Sequence, residues 1–257
     1  MSCHRHLSEA LPVEEEPEYY IIFLVDAPKL DYSDSERFLG SMAKRANRSI
    51  SGVRGQGFGH AWIYLKGDES IEGGHSGEWG SLAARYFDGV MNYIEYGYPN
   101  PTEEEKRETR FEPNPIKYLF YPLFDGCFEK GSGGHTPSFA AKRVLSRQEY
   151  LLIRDFISPH HYYYAEYSLL DRQCCSFLVQ IAHLLGLDLN CQMTFDLKPE
   201  LYFQGRLLRL YQDHIYRQIA FFSPDLLEQK LKERASEGQL QPCLNWYLKK
   251  RKKCPLK

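Results

Sequence analysis

Two short stretches carry the side chains with the most reactive potential. The segment GHAWIYLKGDESIEGG, residues 59–74, opens on His60 and bears Glu72 twelve positions later, and CCSFLVQIAHLLG, residues 174–186, opens on the cysteine pair Cys174 and Cys175. Imidazole is the side chain that gains and loses a proton near neutral pH. A thiol is a weak nucleophile made strong by deprotonation. His60, Glu72 and Cys174 are therefore the first residues whose placement must be worked out.

The hairpin supplies the first test of proximity. If the turn around Lys66 to Glu69 keeps an even register, Ala61, Ile63, Leu65 and Ile71 form one apolar face and leave His60, Trp62, Tyr64 and Glu72 on the other. Parity thus lets the imidazole and the carboxylate share a face, and a slip of one residue separates them. Taken alone, the same pattern also suits a surface histidine and a solvated glutamate.

The second stretch is the strongest helical pattern in the chain. At about 100° per residue, Phe177, Leu178, Ile181, Leu184 and Leu185 fall on one stripe that includes Cys174, while Cys175 lies about 120° from its centre. Asp171 is the expected cap, which puts Cys174 in the first turn, where free N–H groups and the positive end of the helix dipole favour a thiolate. An unaided buried cysteine, by contrast, is most often a packing residue.

Other elements must hold these two segments. Tyr19 to Val25 is a continuous apolar run and reads as a buried strand. Asp34 caps a helical pattern, LSRQEYLLIRDFI is an amphipathic helix, and Ser223 with Pro224 begins another. The intervening RLLRLYQDHIYRQIAFF also reads as helical. Gly55, Gly57 and Gly59 imitate a dinucleotide fingerprint, but His60 stands where the third glycine belongs and a strand follows, so that motif is set aside. Residues 1–18, with Cys3, His4 and His6, are expected to be a disordered tail. A single domain spans 19–242, with an irregular insertion over 77–143 and a basic tail over 243–257.

Composition narrows the class. The chain has 257 residues, 43% of them hydrophobic, and a formal net charge of −2, which suits a globular protein and argues against nucleic-acid binding through bulk charge. The basic run KKRKK near the end is the local exception, able to meet an anionic membrane or a partner, with Cys254 beside it. Seven irregularly spaced cysteines fit a reducing compartment. No apolar signal core stands at the start and no stretch is long enough to span a bilayer, so a cytoplasmic location is expected. Cys3, His4 and His6 could touch a metal, although a mobile tail is the preferred reading, and His160, His161 and His214 have no metal-ligand spacing, so no catalytic metal and no cofactor are expected.

HAWIYLKGDESIE resembles the histidine hairpin of the NlpC-type papain-like thiol hydrolases, in which a polar residue follows the histidine by twelve positions. YSLLDRQCCSFLVQIAHLLG resembles the nucleophile segment of the circularly permuted branch of that superfamily, which includes lecithin:retinol acyltransferase-like proteins. Cys174 takes the place of the nucleophile, Phe177 that of a phenylalanine and Gln173 that of a preceding asparagine. Trp62, Cys175 and Ser176 depart from the usual pattern. The histidine precedes the cysteine, as in the permuted branch.

The resemblance implies an α+β, papain-like permuted core: a small antiparallel sheet against the nucleophile helix, with the insertion and extra C-terminal helices. It implies Cys174 as nucleophile, His60 as its base and Glu72 as the group orienting the imidazole, with His75 and Glu78 as alternatives to Glu72. Backbone N–H groups of Cys174 or its neighbours would stabilise an oxyanion. Tyr167, His135 and Trp62 are the candidates for lining the substrate site. The substrate would be a peptide, protein or lipid acyl compound. An acyltransferase using the same thioester, and a non-catalytic binding module on a hydrolase scaffold, remain open.

Overall fold

The computed structural model describes residues 18–38, 40–41, 59–77, 126–203 and 206–253, with isolated positions between 113 and 124. The first tail, Gly55, Gly57, Glu78, most of the 77–126 stretch and Cys254 lie outside the described residues.

An antiparallel sheet of six strands forms the centre, in the spatial order Gln241–Pro242 (β10), Phe139–Val144 (β5), Tyr20–Asp26 (β1), His60–Lys66 (β2), Ser70–Ser76 (β3) and Cys127–Lys130 (β4). Its middle is β1, the apolar run singled out above, flanked by β2 and β5. The hairpin continues into β3 and β4, while β10 closes the far edge. The hairpin parity is as expected, because Tyr64 pairs with Glu72 and Lys66 with Ser70.

Both β4 and β5 fall within the stretch expected to be an insertion. Residues from Cys127 onwards are instead an integral part of the sheet. Their short strands, broken by GSGG, carried too little periodic signal to be told from loop.

Alternation along β1 and β2 gives the sheet two buried faces. Ile21, Phe23, Val25, Ala61, Ile63 and Leu65 face a core shared with three helices: α1, Arg147–Phe156, α2, Cys174–Leu184, and α3, Pro224–Ser236. Ser146 begins α1 through a reciprocal capping box with Glu149, and Ser223 caps α3 with Pro224 behind it, as the residue types require. Tyr20, Ile22, Leu24 and Trp62 face the other way, onto the last helix, α4, Leu244–Lys253. The Asp34 side chain receives the Arg37 N–H at 2.8 Å, so the helical turn from residue 35 starts where expected.

Two expectations fail in the C-terminal third. RLLRLYQDHIYRQIAFF is largely extended: β8, Arg206–Arg209, pairs with β7, Glu200–Phe203, and β9, Gln218–Phe222, pairs with β6, Gln192–Asp196. Ile219 and Phe221 alternate inward from β9, joining Phe38 and Phe195 in a second core. The segment beginning at 243 is also no tail. Trp246 and Tyr247 of α4 cover the sheet, and Lys250 lies 4.5 Å from the Trp246 ring centre. Among the described residues no helix is long and apolar enough to cross a membrane.

Tyr247 is almost wholly buried, and its hydroxyl donates to Glu72 Oε1 at 2.5 Å. Replacing it with alanine should lower the unfolding free energy by about 3–5 kcal/mol, and Tyr247→Phe, which removes one donor from a buried carboxylate, by about 1–3 kcal/mol. Urea unfolding midpoints measure both. Unchanged midpoints would return α4 to the status of a solvated tail.

Candidate active site

The first residue of β2 meets the first residue of α2. Gly59, in the left-handed region at φ 86, turns the chain into β2; a Cβ there would stand 2.4 Å from the Asp26 carbonyl oxygen, so only glycine fits. His60 follows at once, paired with Asp26 across the ladder. Strand parity gives its side chain the Trp62 face, whereas Cys174 packs with Ala61 and Ile63 on the opposite face. The sulfur and the ring meet around the strand end.

Gln173, rather than Asp171, caps α2. Its Oε1 accepts the Cys175 N–H at 2.8 Å and its Nε2 donates to the Phe222 carbonyl at 2.5 Å, so one amide ties the start of α2 to β9. Asp171 is exposed. The longer glutamine prevails because β9 supplies a partner for its other end, which no local pattern announces. Cys174 is consequently the first helical residue, with the dipole behind it.

Cys175 is also buried, with Cys191 beside it. The single-stripe reading of α2 omits this because Cys191, distant in sequence, packs against a second side of the helix start.

Charge and hydrogen bonding act on the sulfur in opposite directions. Donation from the Cys175 thiol, the His60 ring and the Ala61 backbone N–H pulls the Cys174 thiol well below the ordinary thiol range, against the burial that raises it. The Gln173 Oε1, 3.3 Å from the sulfur, accepts the S–H and so favours the protonated form. The donors prevail. Burial alone would push His60 down; hydrogen bonding and charge from Cys174, followed by the charges of Glu129 and Asp26, more than reverse it and raise the imidazole. His60 Nε2 is buried and has no hydrogen-bond partner among the described residues. A thiol that acidifies beside an imidazole that becomes more basic is the arrangement that yields a thiolate–imidazolium pair.

Glu72 shares the His60 face but does not reach the ring. It stands opposite Tyr64, four residues along β2, or about 13 Å at the usual rise of a strand. Its Oε1 is held by Tyr247, by the Trp62 indole N–H at 3.3 Å and by Arg251 at 3.9 Å. The twelve-residue spacing predicts a shared face, and it says nothing of distance along the strand.

His75, the first alternative, is committed elsewhere. Its Nε2–H donates to the Tyr164 carbonyl at 2.7 Å and its Nδ1 accepts from the Tyr162 hydroxyl at 3.0 Å. Burial pushes it down to about 4.

Of the three residues expected to line the substrate site, only His135 lies near His60 other than as packing. Its ring centre is 5.0 Å from that of His60, and its Nδ1 is 2.8 Å from Asp26 Oδ2. Trp62 is fully buried and stacks on His60 at 5.6 Å and 14°, forming a platform. Tyr167 is buried edge-on to His75. Asp26 had no sequence signal of its own, because it enters only through the β1–β2 register.

Among the described residues no group of histidine, cysteine and carboxylate side chains could hold a metal ion. No family model matches the chain, and neither the curated proteins nor the solved structures contain a match to it.

The two buried histidines have opposite pH signatures. His75 is depressed from 6.5 to about 4, so the unfolded chain binds the extra proton between those values and stability falls as pH drops through that window. Glutamine at position 75 should flatten that part of a stability–pH curve measured by chemical denaturation. His60 is raised, so its contribution is full below its unfolded value and is lost as pH rises through the folded one. An unaltered acid slope in His75→Gln would show that His75 is not buried neutral.

Proposed function

We propose that the protein is a thiol hydrolase, cleaving an amide or ester through a Cys174 acyl-enzyme with His60 as general base and acid. The observation that carries the reading is the pairing of the two groups: a thiol at the first position of a helix, drawn well below its ordinary range by the Cys175 thiol and then by the His60 ring, beside a buried imidazole that the same sulfur raises above its own. Structural packing alone would leave both groups shifted by burial in the other direction, the thiol up and the imidazole down. The similarity of the hairpin and helix segments to permuted papain-like hydrolases supports the same reading, as does the α+β architecture with its antiparallel sheet against α2.

In this mechanism the Cys174 thiolate adds to the carbonyl carbon, and the electron pair of the C=O moves to oxygen. The Cys174 N–H at the helix start is the candidate oxyanion donor, since the Cys175 N–H is already taken by Gln173. His60 then passes its proton to the departing amine or alcohol. In the second half His60 removes a proton from water, which attacks the thioester and releases the acid and the thiol. Replacing water with an alcohol or amine acceptor converts the same sequence into acyl transfer.

A panel of activated acyl esters and peptide amides, followed by intact-mass analysis, tests this. One acyl adduct on Cys174 is expected, absent in Cys174→Ala. Iodoacetamide should alkylate Cys174 ahead of the other six cysteines at pH 7, and the rate–pH curve should have its lower inflection well below the free-thiol value of about 8.5. His60→Gln should move that inflection upward. Equal labelling of all cysteines, with no adduct from any substrate, would favour a binding module instead.

A further inference from the structure

The unsolved part of the site is the third member. A Cys–His pair acts well only if the imidazole is held in one orientation and its positive form is stabilised, and Glu72 is engaged with Trp62, Tyr247 and Arg251. We propose that Asp26 and His135 together are the positioning pair for His60, taking the place that the twelve-residue spacing assigned to Glu72. This rests on the hydrolase reading for its catalytic meaning, and on the geometry alone for its physical content.

Several independent features converge on this pair. Asp26 is the residue directly opposite His60 in the β1–β2 ladder, and cross-strand partners have side chains about 5 Å apart on one face. His135 reaches in from the loop between β4 and β5, its ring tilted 32° to that of His60, so His60 has Trp62 as one neighbouring ring and His135 as another.

The loop between β4 and β5 is held in a defined shape. Gly131, Gly133 and Gly134 all have positive φ, and a Cβ on Gly133 would lie 2.5 Å from a Glu129 carboxylate oxygen. At the far end Ser138 fastens the loop to β1: its N–H donates to the Val25 carbonyl at 2.8 Å, and its hydroxyl receives the Ala27 N–H at 2.9 Å. Both His135 and Asp26 are mostly shielded, at 16% and 23% side-chain exposure, which strengthens their contact relative to a surface pair.

The balance of charges around His60 is consistent with this role. The groups facing it are the Cys174 sulfur from α2, Asp26 from β1, Glu129 from β4, His135 from the loop and, more weakly, His75 from β3. Glu129 and Asp26 both act by charge, and Asp26 in addition holds the His135 ring that lies against His60. When His135 donates its Nδ1–H to Asp26, its own orientation is fixed. Asp26 and His135 are positioning residues, because neither is required to touch substrate.

The test uses the full chain with ring-labelled histidine. His60 resonances are assigned by their loss in His60→Gln, and their titration is followed in Asp26→Asn, Glu129→Gln and Glu72→Gln. Removal of the Asp26 charge should lower the His60 midpoint by about one pH unit and weaken the ring's magnetisation-transfer contacts with Trp62. Glu129→Gln should lower the midpoint but leave those contacts intact. Glu72→Gln should leave the midpoint in place.

A second arm measures Cys174 alkylation. His135→Ala should slow it at pH 7, and His135→Gln, which keeps a donor for Asp26, should restore most of the rate without altering thermal stability further. A His60 midpoint and ring contacts unmoved in Asp26→Asn, or moved in Glu72→Gln, would overturn the proposal. If the wild-type chain turns over no acyl substrate while Asp26→Asn still shifts His60, the hydrolase reading fails and the positioning pair stands.

Discussion

A sulfur on one face of a sheet and an imidazole on the other meet only at the end of the strand between them. That constraint governs the rest of the site. His60 has to be the first residue of β2, so that its ring escapes the alternation that buries Trp62 beneath α4. Cys174 has to be the first residue of α2, so that its side chain projects past the Ala61 amide. Gly59 makes the strand begin there, and Gln173 makes the helix begin there by bonding to Cys175 on one side and to β9 on the other. A shift of one residue in either element would carry its reactive atom away.

Burial by itself works against the chemistry. It raises a thiol and lowers an imidazole, leaving both neutral. The two histidines of the hairpin make the comparison within one molecule. His75 is fully shielded, with both nitrogens held by a tyrosine hydroxyl and a backbone carbonyl, and it falls to about 4. His60 is buried to a similar degree yet moves the other way. What separates them is a direct hydrogen bond to the acidic thiol and two nearby carboxylates at His60, where His75 feels the thiol only by charge and has the Arg172 guanidinium against it, so the partner, rather than the depth, decides the charge.

The parts legible in the sequence are those set by local pattern. The buried strand at 20–26, the parity of the hairpin, the amphipathic helix of LSRQEYLLIRDFI, the Asp34 and Ser223 caps, and the inward, first-turn position of Cys174 all follow from residue type and spacing. What escaped depends on partners far along the chain. Gln173 beats Asp171 because Phe222 lies within reach of its amide. QIAFF becomes a strand because β6 pairs with it. The basic run becomes a docked helix because Trp246 and Tyr247, among so many lysines, find an apolar sheet face. Asp26 and His135 meet across 109 positions, and neither has a neighbour that hints at the other.

Glu72 then needs its own explanation, since a carboxylate with 6% side-chain exposure must be satisfied where it stands. It receives the Trp62 N–H and the Tyr247 hydroxyl and lies near Arg251, so its charge fastens α4 to the hairpin. Its path to His60 runs only through Trp62, whose indole donates to Glu72 while its face stacks on the imidazole. Four residues along the strand, about 13 Å at the usual rise, is beyond the range of strong charge stabilisation, so through the indole this carboxylate transmits placement and little charge. Stabilising a charged His60 therefore requires a different anion. Asp26, opposite His60 in the ladder and bonded to the ring next to it, is the anion that the sheet register supplies.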